Sequence, residues 1–178
     1  MGTEIGGYAP DFELPGTDSS VHHLARYLEK FRAVGVVFMC NHCPYVQRYL
    51  ERMKAIQAEF AAQGFTLIGI NSNDADQFPD DSFDNMQRFV GERQLNFPYL
   101  RDVTQDVAHS FGAEKTPHVF LLNQAGVLCY SGLIDDSPDN PDAVQTHYLR
   151  DAIAQILSGA SVTPTSTKPV GCSVKWRM

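Results

Sequence analysis

The run Cys40-Asn41-His42-Cys43 carries the strongest chemical signal in this sequence. Two residues between cysteines bring their sulfurs within bridging reach in a first helical turn. A thiol placed there faces unpaired N–H groups and the positive end of the helix dipole, and both favour the thiolate. This predicts Cys40 as nucleophile, with a pKa below the free value of ~8.5, and His42 as a source of positive charge when protonated. Cys40 would attack a substrate disulfide, and Cys43, less exposed, would then attack the mixed disulfide. A zinc site wants four ligands, usually from a second CxxC or an HxxxH, and the chain has neither. The expectation is dithiol chemistry with no metal and no cofactor.

The second signal is Thr116-Pro117. A proline can simply open a strand. After a CxxC and before a hairpin, the pattern predicts instead a cis proline beside the two cysteines, with Thr116 backbone groups left to pair with an extended substrate. Cys129 lies mid-strand and reads as a small buried apolar residue. Cys172 lies in a tail with little reason to be apolar. It is either a third redox thiol that swings to the active site or a passive cysteine in a tail docked by Val174 and Trp176. His22, His23, His109 and His147 read as surface or packing residues. His118 follows Pro117, and on a strand it reads as structural. Asp74, Asp76, Asp80 and Asp81 lack EF-hand spacing and read as a solvated loop.

These residues need elements to hold them. Ala33 to Met39 is a nearly unbroken apolar run, the pattern of a strand buried on both faces. Val46, Tyr49, Leu50, Met53, Ile56 and Phe60 mark one face of a helix that Gly64 ends. The CxxC therefore sits between a buried strand and a long helix. Phe65 to Asn71 is a second buried strand, and Phe83 to Val90 a second helix capped by Ser82 or Asp81. Asn96 to Leu100 is a brief extended piece, and Thr104 to Phe111 a short helix. His118 to Leu122 and Val127 to Leu133 form an antiparallel hairpin. Asn140-Pro141 starts a last helix that runs through Leu157. Upstream, Tyr8 to Leu14 and Val21 to Leu24 form a short hairpin. The order predicts an α/β fold, a mixed sheet flanked by helices with its first two long strands parallel. Residues 1–158 read as one domain and residues 159–178 as a Ser/Thr/Pro-rich tail carrying Cys172.

Length and composition agree. A chain of 178 residues with 43% apolar and 20% charged residues suits one domain with an ordinary core. A net charge of −7 gives no electrostatic footprint for nucleic acid or an anionic membrane. No apolar run approaches the ~18 residues of a membrane span. Met1 to Leu14 has no basic region and no apolar core, so no secretory signal is expected. Four cysteines are too few for a disulfide scaffold, and the expected compartment is the reducing cytoplasm.

Strand–CxxC–helix, a later Thr-Pro, a hairpin and a final helix together resemble the thioredoxin fold. Gly7-Tyr8-Ala9-Pro10-Asp11-Phe12-Glu13-Leu14 resembles the opening of the alkyl-hydroperoxide-reductase/thiol-specific-antioxidant (AhpC/TSA, redoxin) branch. Phe38 to Val46, Asn73-Asp74 and the terminal Gly171-Cys172-Ser173-Val174-Lys175-Trp176 are similar to a bacterial subgroup described as thioredoxin-like, peroxiredoxin-like or thiol–disulfide isomerases. The resemblance implies a thiol–disulfide oxidoreductase that acts on disulfide-containing proteins or small molecules and is recharged by a thiol donor. Membrane-anchored relatives carry an acid just after the second long strand; Asp74 falls there, as a proton acceptor for the Cys43 thiol or as a solvated acid. Peroxiredoxins carry P-x-x-x-T-x-x-C. Aligning Cys43 to that cysteine puts Cys40 at the Thr and Val36 at the Pro; aligning Cys40 gives Val37 and Ala33. A thiol peroxidase is therefore the alternative, and a copper- or zinc-binding module on Cys40, Cys43 and a His is the more distant one.

Overall fold

In the computed structural model, which describes residues 2–178, fourteen strands and helices follow one another. They are β1 (Glu13–Pro15), β2 (Val21–His23), α1 (Leu24–Lys30), β3 (Ala33–Phe38), α2 (Pro44–Phe60), β4 (Phe65–Asn71), α3 (Phe83–Arg93), β5 (Tyr99–Arg101), α4 (Asp106–Phe111), β6 (Lys115–Thr116), β7 (His118–Asn123), β8 (Leu128–Gly132), α5 (Tyr148–Leu157) and β9 (Cys172–Ser173). The central sheet has the order β5-β4-β3-β7-β8. β3 runs parallel to β4 and antiparallel to β7, so the sheet is mixed as expected.

The period-two rule sorts β3 cleanly. Ala33 and Val37 face one side, where α2, α3 and α5 pack with Tyr49, Leu50, Met53, Met86 and Ile153. Val34, Val36 and Phe38 face the other, against Leu24, Ala108 and Phe111. All six β3 residues are buried, which explains the unbroken apolar run. Burial of each valine contributes roughly 1.5–3 kcal/mol. α2 ends in a short 3-10 turn, and Gly64 terminates it at φ 93°, a conformation glycine adopts without steric cost.

Three expectations are corrected. Leu24–Lys30 is helical, whereas the sequence pattern predicts only the end of a hairpin at Leu24. The hairpin strand begins at Glu13, whereas Tyr8 bridges to Val127 instead. The last helix starts at Tyr148; Pro141–Ala143 is a separate 3-10 turn capped by Asn140. Pro141 with an Asn before it is a valid helix start, but the next apolar face begins only at Leu149, so the turn closes without a helix to continue it.

The segments flanking the sheet are also held. Thr17 N–H bonds to the Tyr99 carbonyl of β5 at 3.0 Å. Past α5 the tail runs along β8, where Ser131 N–H bonds to Thr165 O and Thr167 N–H to Ser131 O. It then reaches Thr116, where β9 pairs antiparallel with β6, Thr116 opposite Cys172, so the strand edge expected to take an extended substrate is occupied by the chain's own tail. Val174 is buried in the second core and Trp176 stacks on His109 at 4.2 Å. Among the described residues, no helix is long and apolar enough to cross a membrane.

Candidate active site

β3 ends at the centre of the sheet and delivers the chain to Cys40, and α2 begins at Pro44 with Cys43 as its N-cap. Pro44 occupies the first helical position, where a missing N–H costs nothing and a fixed φ suits the helix. Across the gap, the Thr116–Pro117 bond that leads into β7 is cis. Both sulfurs converge on Thr116. Cys40 Sγ lies 3.7 Å from Thr116 Oγ1, and Cys43 Sγ lies 3.2 Å from the Thr116 carbonyl oxygen. The Thr116 hydroxyl also reaches the Cys172 carbonyl oxygen at 3.3 Å. The structure thus brings together Cys40, Cys43, Thr116, Pro117 and Cys172. A cleft of ≈ 180 Å³ opens on the three cysteines, His42, Pro44, Asp80, Asp81 and Lys175 among others.

Electrostatics reverse the expected roles of the pair. Cys43, not Cys40, is the thiol held well below its ordinary value. The Cys40 thiol donates to it, burial opposes, and the Cys172 thiol, the Val46 N–H and Thr116 add to the stabilisation. One contact works the other way: as a thiol, Cys43 donates to the Thr116 carbonyl, which favours the protonated form. The several donors around the sulfur outweigh it. Cys40 is pushed far up, first because it is the donor to Cys43, then by burial and by the charge of Asp81. The hydrogen bond between the two sulfurs sets the difference first, and helix position adds to it through the Val46 N–H. Cys43 is the N-cap residue, whereas Cys40 lies three residues before it, away from the first-turn N–H groups.

His42 lines the cleft, as expected of a site residue, but does not act on the two sulfurs as expected. Its ring is exposed, 4.0 Å from Asp80, and is not among the groups that shift either thiol. Asp74 is buried, but its carboxylate accepts from Asp76 N–H and Gln77 within its own loop. The acid that reaches Cys40 is Asp81. It and Asp74 are 5% and 6% exposed, whereas Asp76 and Asp80 are exposed, so only two of the four acids lie in solvent as expected. Asp81 Oδ1 accepts the Asn41 N–H at 2.9 Å and Asn71 Nδ2 at 3.1 Å, and Oδ2 accepts Asn73 Nδ2. Tyr99 donates to Asn41 Oδ1 at 2.8 Å. Buried Arg101 donates to Asn73 O at 2.6 Å and to Asn71 and Asp81 carbonyls. The backbone of the cysteine loop is therefore clamped by groups sequence reasoning missed. One signal could have found them: Asn71-Ser72-Asn73 is a polar run at the end of a fully buried strand, beside the CxxC strand.

His118 is structural. Its ring accepts the Glu114 N–H, contacts Ser131 Oγ and packs on Phe120; burial pulls its pKa down to about 4. Cys129 is partly buried and lies on β8, away from the cleft. No cluster of three or more His, Cys, Asp or Glu side chains among the described residues is arranged to hold a metal ion.

Residues 5–131 match the AhpC/TSA family. A thiol-disulfide oxidoreductase ResA of Halalkalibacterium halodurans is 27% identical over 97 residues, covering 54% of this chain and 51% of that protein. The chain thus spans about half the length of that curated relative. A protein of Sinorhizobium meliloti described as hypothetical superimposes with a TM-score of 0.92 at 34% identity, over 99% of this chain and 97% of that one. A thiol:disulfide interchange protein of Chlorobium tepidum, described as DsbE, superimposes with a TM-score of 0.67 at 20% identity, over 88% and 97% of the two chains. That last likeness establishes the thioredoxin-type fold.

Proposed function

The chain belongs to the AhpC/TSA family, and on that footing we propose that it is a thiol–disulfide oxidoreductase working through Cys43 and Cys40. The observation that carries the reading is the meeting of both sulfurs on Thr116, with the thiolate at the N-cap of α2. The oxidoreductase named among its relatives supports it. The Cys43 thiolate attacks one sulfur of a substrate disulfide, and the other leaves as a thiolate that takes up a proton. Mixed-disulfide formation removes the charge that keeps Cys40 protonated. Cys40 then loses its proton and attacks Cys43 Sγ, giving the Cys40–Cys43 disulfide and a second substrate thiol. A thiol donor restores the dithiol. Substrates are disulfide-containing proteins or small molecules, and the dithiol needs no cofactor.

One observation favours a second reading. Cys43-Pro44 opens α2 with Cys40 three residues upstream, the register in which Cys43 takes the peroxidatic place and Cys40 that of the peroxiredoxin threonine. Val36 in place of the motif proline counts against it. Insulin-disulfide reduction and peroxide consumption, measured side by side on wild type, Cys43→Ser and Cys40→Ser, separate the two. The expected result is Cys43-dependent insulin reduction with little peroxide turnover. Steady peroxide turnover that survives in Cys40→Ser overturns the dithiol reading in favour of the peroxidase.

A further inference from the structure

The tail does more than dock. β9 lies on the backbone edge of Thr116, and the chain crosses so closely that a Cβ on Gly171 would stand 2.1 Å from the Thr116 carbonyl oxygen. Only glycine permits that approach. The next residue, Cys172, is thereby placed at Cys43, where its S–H helps hold the Cys43 thiolate. Downstream the strand is pinned: Lys175 N–H bonds to Asn73 Oδ1 at 2.9 Å, and Lys175 O accepts Asp74 N–H and Gln105 Nε2. Lys175 lines the cleft with the three thiols. A third cysteine has been carried across the molecule and fixed against the thiolate.

We propose that Cys172 is a second resolving thiol, able to discharge a mixed disulfide on Cys43 without Cys40. This rests on the exchange reading above. Attack of Cys43 on a disulfide RS–SR gives Cys43–S–S–R and RS⁻. Cys172 loses its proton, which RS⁻ takes up, and its thiolate attacks Cys43 Sγ. The bond to R breaks, a Cys43–Cys172 disulfide forms, and a second RS⁻ leaves to be protonated by solvent. Two protein thiols are oxidised and one external disulfide is reduced to two thiols. Burial and then the neighbouring Cys43 thiolate hold the Cys172 thiol up to about 11, and the second of these is relieved along the path. Asp81 opposes a negative charge on Cys40, whereas the Lys175 ammonium favours one on Cys172. The chief local charge that opposes it, that of Cys43, vanishes when the mixed disulfide forms.

The test uses full-length protein in a Cys129→Ser background and the aromatic disulfide 5,5′-dithiobis(2-nitrobenzoate). Cys40→Ser protein is expected to release two equivalents of thionitrobenzoate, and non-reducing peptide maps show Cys43 joined to Cys172. Adding Cys172→Ser stops release at one equivalent with the adduct still on Cys43. Adding Gly171→Ala instead, which keeps both thiols but forces the strand off Thr116, slows the second release at least about tenfold, because a displaced thiol loses its effective concentration. If the Cys40→Ser protein halts at one equivalent, or Cys43 and Cys172 carry separate adducts, the proposal is overturned. In that case two-equivalent release by Cys172→Ser protein leaves the Cys40–Cys43 reading standing. If Cys43 takes up no reagent in any variant, both fall together.

Discussion

Cys40 and Cys43 are almost equally buried, 4% and 5% exposed, yet their surroundings give them opposite charge preferences. Donors gather on Cys43, and an acid faces Cys40. The alkylation rate of Cys43 is therefore expected to be nearly flat between about pH 6 and 8, where a free thiol gains close to tenfold per unit. Iodoacetamide labelling followed by peptide mapping checks this, and first labelling at Cys40 contradicts it. Replacing His42 by Ala is expected to leave that profile in place, because the ring points to solvent. Asp81→Asn should let Cys40 ionise at lower pH, seen as faster closure of the Cys40–Cys43 disulfide in stopped-flow. It should also cost about 1–3 kcal/mol in urea unfolding, since the carboxylate accepts three hydrogen bonds. His118 gives a separate pH signature. The folded ring takes a proton only at about 4, the unfolded one near its ordinary 6.5, so acid favours unfolding between those values. Stability carried by the neutral ring is full above ~6.5 and falls by up to ~1.4 kcal/mol per unit below it. Comparing urea midpoints of wild type and His118→Gln from pH 7 to 4 isolates that slope. CxxC, Thr-Pro and the tail cysteine were legible in the sequence because each pattern is local and chemically rare. Which thiol bears the charge was not, because it depends on the hydrogen bond between the two sulfurs and on an acid brought in across the loop.

Elements that position the site were legible wherever burial imposed a simple period. β3, β4 and β7 are buried on both faces and announce themselves as apolar runs. α2 shows its three-and-four spacing, and Ser82 caps α3 by accepting the Asn85 N–H at 3.2 Å. Short elements were lost. α1 buries only Leu24, and β6 and β9 have two residues each, too few to show any period. Their existence depends on partners distant in sequence: Thr116 and Cys172 are paired across 56 residues. The Ser82 cap has a local consequence for the site, because Asp81 precedes it directly. Ser82→Ala is expected to cost about 1 kcal/mol, with a range of 0.5–2, in chemical unfolding. It should also loosen the Asp81 clamp, read as faster hydrogen exchange at the Asn41 N–H.

At the scale of the molecule, the apolar period of the sequence stops with α5, which predicts a domain over residues 1–158 and a tail over residues 159–178. The tail nonetheless contributes Val174 to the core, Trp176 to a stack on His109 and Cys172 to the cleft. Much of what holds it is backbone pairing to Ser131, Thr116 and Asn73, which composition does not reveal. The same feature bears on how the molecule behaves among its own copies. A five-stranded open sheet has two outer strands, here β5 and β8, each with unpaired backbone groups that invite another chain. The loop of the N-terminal hairpin covers β5 through Thr17, and residues 165–167 cover the Ser131 half of β8. The terminal segments thus act as selvedges on a woven sheet. Cutting the chain after Ser158 is expected to cost roughly 3 kcal/mol or more and to leave the Ser131 side of β8 bare. Size-exclusion chromatography at matched concentration should then show the shortened protein moving to higher apparent mass than the full chain.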